Sequence, residues 1–219
     1  MARRVDTGSR RSKKTVTRLA GEVNMPKLAG ILTYIQGMGV TTFIETGILS
    51  GKTTCWATEH FDIVKALEIE IRFIEYVQER CGENVEFIHG DSGETLPIVL
   101  ETLTQPAVVF LDAHFPGSNT EAALKWAVHC PIKRELAALV SCPVTHFILI
   151  DDIGFFTTPE KLPDGSDREQ FPLYAEILEQ LQPRWDCYKK LGVLAAIPRE
   201  HLTTTWLLDN GWQGEDAKT

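Results

Sequence analysis

A chain of 219 residues with a formal net charge of −8 has the length of one ordinary domain and argues against broad nucleic-acid binding. Hydrophobic residues make up 43% and charged residues 24% of it, the balance of a soluble globular protein. No apolar run approaches the ~18 residues that span a bilayer. No apolar signal core follows the basic start, so membrane association and secretion are not expected and a cytoplasmic location is.

Arg3, Arg4, Arg10, Arg11, Lys13, Lys14 and Arg18 crowd the first residues, opposed only by Asp6. Residues 1–22 read as a basic, mobile arm, followed by one domain from 23 to 219. Five scattered cysteines (Cys55, Cys81, Cys130, Cys142, Cys187) form no Cys-x-x-Cys pair and read as reduced, mostly buried thiols.

After the arm, Pro26 to Gln36 predicts a helix with proline near its first turn. Strands and helices then alternate. Strands are expected at Thr41–Glu45, Ile63–Glu68, Val85–His89, Ala107–Asp112 and Val144–Asp151. Helices are expected at Lys52–His60, Arg72–Arg80, Glu94–Leu103, Thr120–His129, Pro131–Val140 and Tyr174–Leu181. Asp186–Lys190 and Gly192–Ile197 pair through a tight connection. Five β-α units in a row require a mainly parallel sheet with helices on both faces. In such sheets the ligand lies outside the carboxyl ends of the strands. The residues that end them are Glu45, Glu68, Asp91, Asp112 and Asp151, all acidic.

The first strand runs into Glu45-Thr46-Gly47-Ile48-Leu49-Ser50-Gly51. An acid followed by two glycines at a strand-to-helix turn marks a nucleotide-type cofactor site, because glycine lets backbone approach a ligand where a Cβ would clash. Glu68 ends the next strand, where a carboxylate accepts hydrogen bonds from a ribose diol. Asp91 has the chemistry to accept from an adenine amino group. Ser92 suits a ring nitrogen, although both residues serve equally well as helix caps. If the fourth and fifth strands are neighbours, Asp112, Asp151 and Asp152 crowd one region, and a hard divalent cation would relieve their repulsion. His114, two residues past Asp112, lies on the same side of an extended chain and is placed to take a proton from a substrate hydroxyl. The run Gly47 to Lys52-Thr53 imitates a triphosphate-binding loop but is one residue short between its glycines.

Taken together, Glu45-x-Gly47-x-x-x-Gly51, ALEIE around Glu68, GDSGETLP from Gly90, VVFLDAH to His114 and ILIDD to Asp152 resemble the class I S-adenosylmethionine-dependent methyltransferases. Within them the acidic trio is similar to the metal-dependent O-methyltransferases of the catechol and macrocin type. The resemblance implies an α/β, Rossmann-like, doubly wound sheet of seven strands in order 3-2-1-4-5-7-6, the last antiparallel. It implies S-adenosylmethionine bound by Glu45, Thr46, Gly47, Gly51, Lys52 and Thr53 at the turn, and by Glu68 and Ile69 at the ribose. Asp91 and Ser92 then sit at the adenine, and Asp112 is a further cofactor-binding residue. It further implies Mg²⁺ on Asp112, Asp151 and Asp152, with His114 and Asp112 catalytic toward a small-molecule hydroxyl acceptor. The family's lysine, three residues past the first metal aspartate, is Phe115 here; either His114 substitutes as the base or the base lies elsewhere. A cofactor-binding protein without catalysis and a triphosphatase using Lys52 and Thr53 are the competing readings. Assembly with further copies of the chain is left open.

Overall fold

Pairing between strands, more than any single element, shows how the chain is organised. The computed structural model describes residues 25–114, 130–156, 171–201 and 204–216. Eight strands form one sheet in the order β3-β2-β1-β4-β5-β7-β6-β8: β1 (Thr42–Thr46), β2 (Ile63–Glu68), β3 (Val85–His89), β4 (Val108–Leu111), β5 (Phe147–Ile150), β6 (Trp185–Lys190), β7 (Val193–Pro198) and β8 (Gln213–Glu215). The first five are parallel. β7 runs antiparallel to β5 and to β6, and β8 is antiparallel to β6. The expected seven-strand order is present, with β7 antiparallel as implied, and β8 extends it by one short edge strand. The expected limits of β2 and β3 agree with the observed ones.

Alternation along the strands sets the two faces. Ile44, Val109, Leu111, Ile148 and Ile150 point to a core under α4 (Ser92–Glu101), α5 (Ile132–Ser141) and α6 (Tyr174–Leu181). Phe43, Val108, Phe110, Phe147 and Leu149 point to the opposite core. There α1 (Met25–Gln36) packs Leu28, Ile31, Leu32 and Ile35, a stripe at helical spacing. α7 (Thr204–Asp209) adds Leu207 to that core, and Trp206 stacks on Tyr34 at 4.2 Å. The central parallel strands β1, β4 and β5 are covered on both sides, as their apolar runs require, whereas β3 lies at the edge and is only partly covered. β6 and β7 join through Leu191 and Gly192, both with positive φ (52° and 86°), the backbone of a type I′ hairpin turn.

The helices α2 (Lys52–Thr58) and α3 (Ile71–Val77) follow β1 and β2. One expectation fails here. Cys55 of α2 and Cys81, just past α3, are joined by a disulfide, so these two thiols are not reduced. Cys130, Cys142 and Cys187 are buried thiols outside any disulfide, as expected. No described helix is long and apolar enough to cross a membrane. The basic arm and the helix expected at Thr120–His129 lie outside the described residues, and a 3₁₀ turn at Ile153–Phe156 follows β5.

Candidate active site

The strand ends meet because the ladder continues past them. Gly47 N–H donates to the Leu67 carbonyl (2.8 Å), Gly90 N–H to that of Glu68 (2.9 Å), Asp112 N–H to that of Thr46 (3.1 Å) and Asp151 N–H to that of Leu111 (3.2 Å). Glu45, Glu68, Asp91, Asp112 and Asp151 therefore occupy one rim, as expected.

The turn after β1 is built on left-handed backbone at Gly47 (φ 78°), Leu49 (φ 41°) and Gly51 (φ 73°). A Cβ on Gly47 would stand 2.7 Å from the carbonyl oxygen of Asp112 and from the Cα of Ala113. Both are backbone atoms that cannot swing away. A Cβ on Gly51 would stand 2.3 Å from Val77 Cγ1. Glycine at these two places lets the turn close onto β4 and α3.

Glu68 holds that turn from beneath. Its Oε2 accepts from the N–H groups of Ile48 (2.9 Å) and Leu49 (3.2 Å), and its Oε1 from that of Glu70 (2.9 Å). Burial raises its pKa even so. A ribose diol would have to use the remaining lone pairs of these oxygens. Glu45 accepts a hydrogen bond from the hydroxyl of Thr54, and desolvation lifts its pKa to about 8. Lys52 and Thr53 open α2 beside it, and Thr53 helps hold the Glu45 carboxyl. Ile69 is half-buried next to Glu68.

Asp91 caps α4. Its Oδ1 accepts from Gly93 N–H (2.9 Å), and its Oδ2 pairs with Arg134 of α5 at 2.7 Å. The guanidinium lies over Gly93, where a Cβ would come within 2.6 Å of it. Of the two sequence readings for Asp91, the structure shows the cap.

Asp112 is half-buried, and its pKa is raised well above the ordinary value by desolvation, then by repulsion from Asp151, Glu45, Asp152 and Glu135. Asp151 is buried and accepts from the backbone N–H of Asp152 (2.8 Å). Asp152 itself sits at φ 49° with its side chain 63% exposed. Asp112, Asp151 and Asp152 share the rim, close enough that the other two raise the pKa of Asp112. Among the described residues no three His, Cys, Asp or Glu side chains are grouped to hold a metal ion.

His114 lies in an aromatic box, edge-on to Phe155 (5.6 Å) and Phe156 (5.5 Å). Phe171 closes the box behind them at 6.4 and 6.0 Å. Its Nε2 is buried without a hydrogen-bond partner, 4.0 Å from Asp152 Oδ2. Desolvation lowers its pKa to about 4 against the opposing pull of Asp152, so the ring is neutral at physiological pH.

Two residues escaped sequence reasoning. Thr54 carried no signal beyond its place in α2. Glu135 did carry one: it interrupts the apolar stripe Ile132, Leu136, Leu139 of α5 on that stripe's own face. It is 1% exposed.

No protein-family model and no curated protein sequence matches the chain. Solved structures do match in fold. The O-methyltransferase TomG from Streptomyces achromogenes, in complex with S-adenosylmethionine, is 20% identical with a TM-score of 0.54, over 82% of each chain. The O-methyltransferase from Bacillus cereus, in complex with S-adenosylhomocysteine, is 16% identical with a TM-score of 0.54, over 82% of this chain and 84% of the other. Human methyltransferase-like protein 13, in complex with S-adenosylhomocysteine, is 14% identical with a TM-score of 0.52, over 84% and 86%. The shared architecture is the Rossmann-like methyltransferase sheet.

Proposed function

We propose that this chain transfers a methyl group from S-adenosylmethionine to a hydroxyl oxygen of a small molecule. The observation that carries this reading is the turn after β1. Its N–H groups at Ile48 and Leu49 are already given to the Glu68 carboxylate. A triphosphate would meet that carboxylate where it needs free N–H donors, so the triphosphatase reading loses its binding site. A cofactor that is neutral at the ribose and cationic at its sulfonium and ammonium suits a rim of five acids. TomG binds S-adenosylmethionine, and the Bacillus cereus protein of the same fold binds its demethylated thioether, S-adenosylhomocysteine.

The sulfonium supplies an activated methyl group, so the protein's work is alignment and exclusion of water. Glu45, buried and protonated near neutral pH, gains a cationic partner when the cofactor's ammonium arrives and then ionises. The acceptor oxygen enters beside His114, whose flat walls Phe155 and Phe156 suit an apolar or aromatic ring. As the oxygen–methyl bond forms and the sulfur–methyl bond breaks, the hydroxyl proton passes to His114 Nε2. Asp152 stabilises the imidazolium, and S-adenosylhomocysteine remains. The Mg²⁺ implied by the family resemblance does not fit the side chains as they stand, because Asp152 faces solvent and the trio forms no ligand set. The cytoplasmic placement belongs to this reading and has to accommodate the Cys55–Cys81 bond.

Calorimetric titration with S-adenosylhomocysteine tests the cofactor. Transfer of labelled methyl from S-adenosylmethionine across a panel of phenols, sugars and amines, run with EDTA and with Mg²⁺, tests the reaction. Saturable cofactor binding and labelling of a hydroxyl acceptor are expected. Tight ATP or GTP binding with no binding of the nucleoside cofactor overturns the assignment.

A further inference from the structure

Resting on that reading, we propose that the Cys55–Cys81 bond is a thiol-operated switch of the cofactor site. Closed, it clamps α2 to the end of α3 and keeps the turn after β1 in its binding shape. Open, it releases that turn and weakens cofactor binding.

The turn and the bond share one small core. Ile48 of the turn is buried with Ala66, Ile74 and Val77, in a cluster separate from the two larger cores, and both cysteines pack against those four side chains. Gly51, where the turn enters α2, lies against Val77 with no room for a side chain. Cys55 comes one helical turn later, and its N–H donates to the Gly51 carbonyl at 2.8 Å. The bond therefore reaches the end of the cofactor turn through a single hydrogen-bonded step.

The noncovalent ties of this lobe are few. α2 and α3 have seven residues each, too short to persist without tertiary support. Among the described residues, the hydrogen bonds that join α2 to the segment after α3 meet at Thr58, the end of α2 remote from the turn. Gly82 N–H donates to Thr58 Oγ1 (3.0 Å), and Asn84 Nδ2 donates to the Thr58 carbonyl (3.1 Å). A covalent cross-link in so small a cluster supplies a large share of its local stability.

The cross-link is also open to exchange. Cys55 and Cys81 are partly exposed, whereas Cys130, Cys142 and Cys187 are buried. A thiolate of a dithiol reductant attacks one sulfur and forms a mixed disulfide, releasing the other cysteine. The reductant's second thiol then displaces the first. Two electrons and two protons pass to the protein, which ends with two thiols while the reductant ends as a disulfide. In thiol-rich compartments protein disulfides are characteristically transient and redox-sensing, which accommodates the bond in the cytoplasmic placement proposed above.

Calorimetric titration of the full chain with S-adenosylhomocysteine, before and after reduction by dithiothreitol, reads the switch. The reduced protein is expected to keep a cooperative thermal transition and to bind about 5–100-fold more weakly. The double variant Cys55→Ser/Cys81→Ser is expected to bind like the reduced wild type and to ignore dithiothreitol. Linkage also requires the reverse effect. Saturating S-adenosylhomocysteine should shift the thiol–disulfide equilibrium, read by alkylation in glutathione buffers, toward the bond by the same factor, about 30 mV for each tenfold. A cross-link that only stabilises the fold would leave that equilibrium unmoved. Oxidised and reduced affinities within fivefold of each other overturn the inference. So does sensitivity to dithiothreitol retained in the double variant, or a reduced wild type without a cooperative transition, since a switch needs a folded open state. Should the double variant fail to fold, the glutathione midpoint decides: one unmoved by S-adenosylhomocysteine overturns the proposal. No binding by the oxidised wild type sinks the methyltransferase reading itself, which the other results leave standing.

Discussion

Replacing Gly51 with alanine tests how the cofactor turn is held against α3. Two costs are separable. A side chain at φ 73° costs about 1–2 kcal/mol in the left-handed region. The new methyl, 2.3 and 2.4 Å from the two γ carbons of Val77, adds the strain of overpacking, about 1–3 kcal/mol. The sum, about 2–5 kcal/mol, lowers Tm by roughly 4–20 °C for a protein of this size. Val77→Ala by itself opens a cavity at a fully buried position and costs about 2 kcal/mol. In the double variant the methyl at 51 fills part of that cavity. The pair should therefore be less unstable than the two single losses added together, by about the overpacking share of 1–3 kcal/mol. Urea denaturation of all four proteins, compared at a common slope, measures the cycle. Additivity within about 0.5 kcal/mol would refute the claim that Val77 is what excludes a side chain from position 51.

Other expectations follow from the rim. His114→Asn removes the proton acceptor from its aromatic box and should lower kcat by about 10²–10⁴, with the Kd for S-adenosylhomocysteine unchanged within about twofold; a kcat within threefold of wild type rules the residue out as base. For Glu45 the folded pKa of about 8 lies above the ordinary 4.5, so the folded state binds the extra proton. Its contribution to stability is full below about pH 4.5 and is lost as pH rises to about 8, by at most about 1.4 kcal/mol per pH unit. Thermal melts of ligand-free protein between pH 5 and 8 should fall more steeply for wild type than for Glu45→Gln. Glu68, Asp112 and Glu135 are shifted the same way, so the difference between the two proteins is the quantity to read. Equal slopes would place the proton elsewhere.

The sheet was legible because its evidence is local. β2 and β3 are short segments of β-branched and apolar residues, each with one charged side chain inside it (Lys65, Glu86) and closed by a polar residue, and their limits need no knowledge of neighbours. The residues that end the strands followed from the same runs, which is why all five rim acids were found. β8 was not legible: Gln-Gly-Glu has no strand pattern of its own and is extended only by its ladder to β6. The Cys55–Cys81 pair depends on α2 and α3 lying side by side, which no spacing reveals. The acidic trio was found as a set, but Asp152 takes a positive φ of 49° and carries its side chain largely in solvent, which no motif reveals. Glu135 was visible as an acid on an apolar helix face. What it faces, the start of α4 and the end of β1, is a matter of packing.

The bond between Cys55 and Cys81 closes a ring of chain that contains all of β2 and α3, and with them Glu68. A protease cutting anywhere between residues 56 and 80 would leave two fragments still fastened to each other. The nicked molecule would migrate as an intact chain on a non-reducing gel and fall apart only when a thiol is added. Glu68, on whichever fragment it remained, would stay tied to the loop it supports.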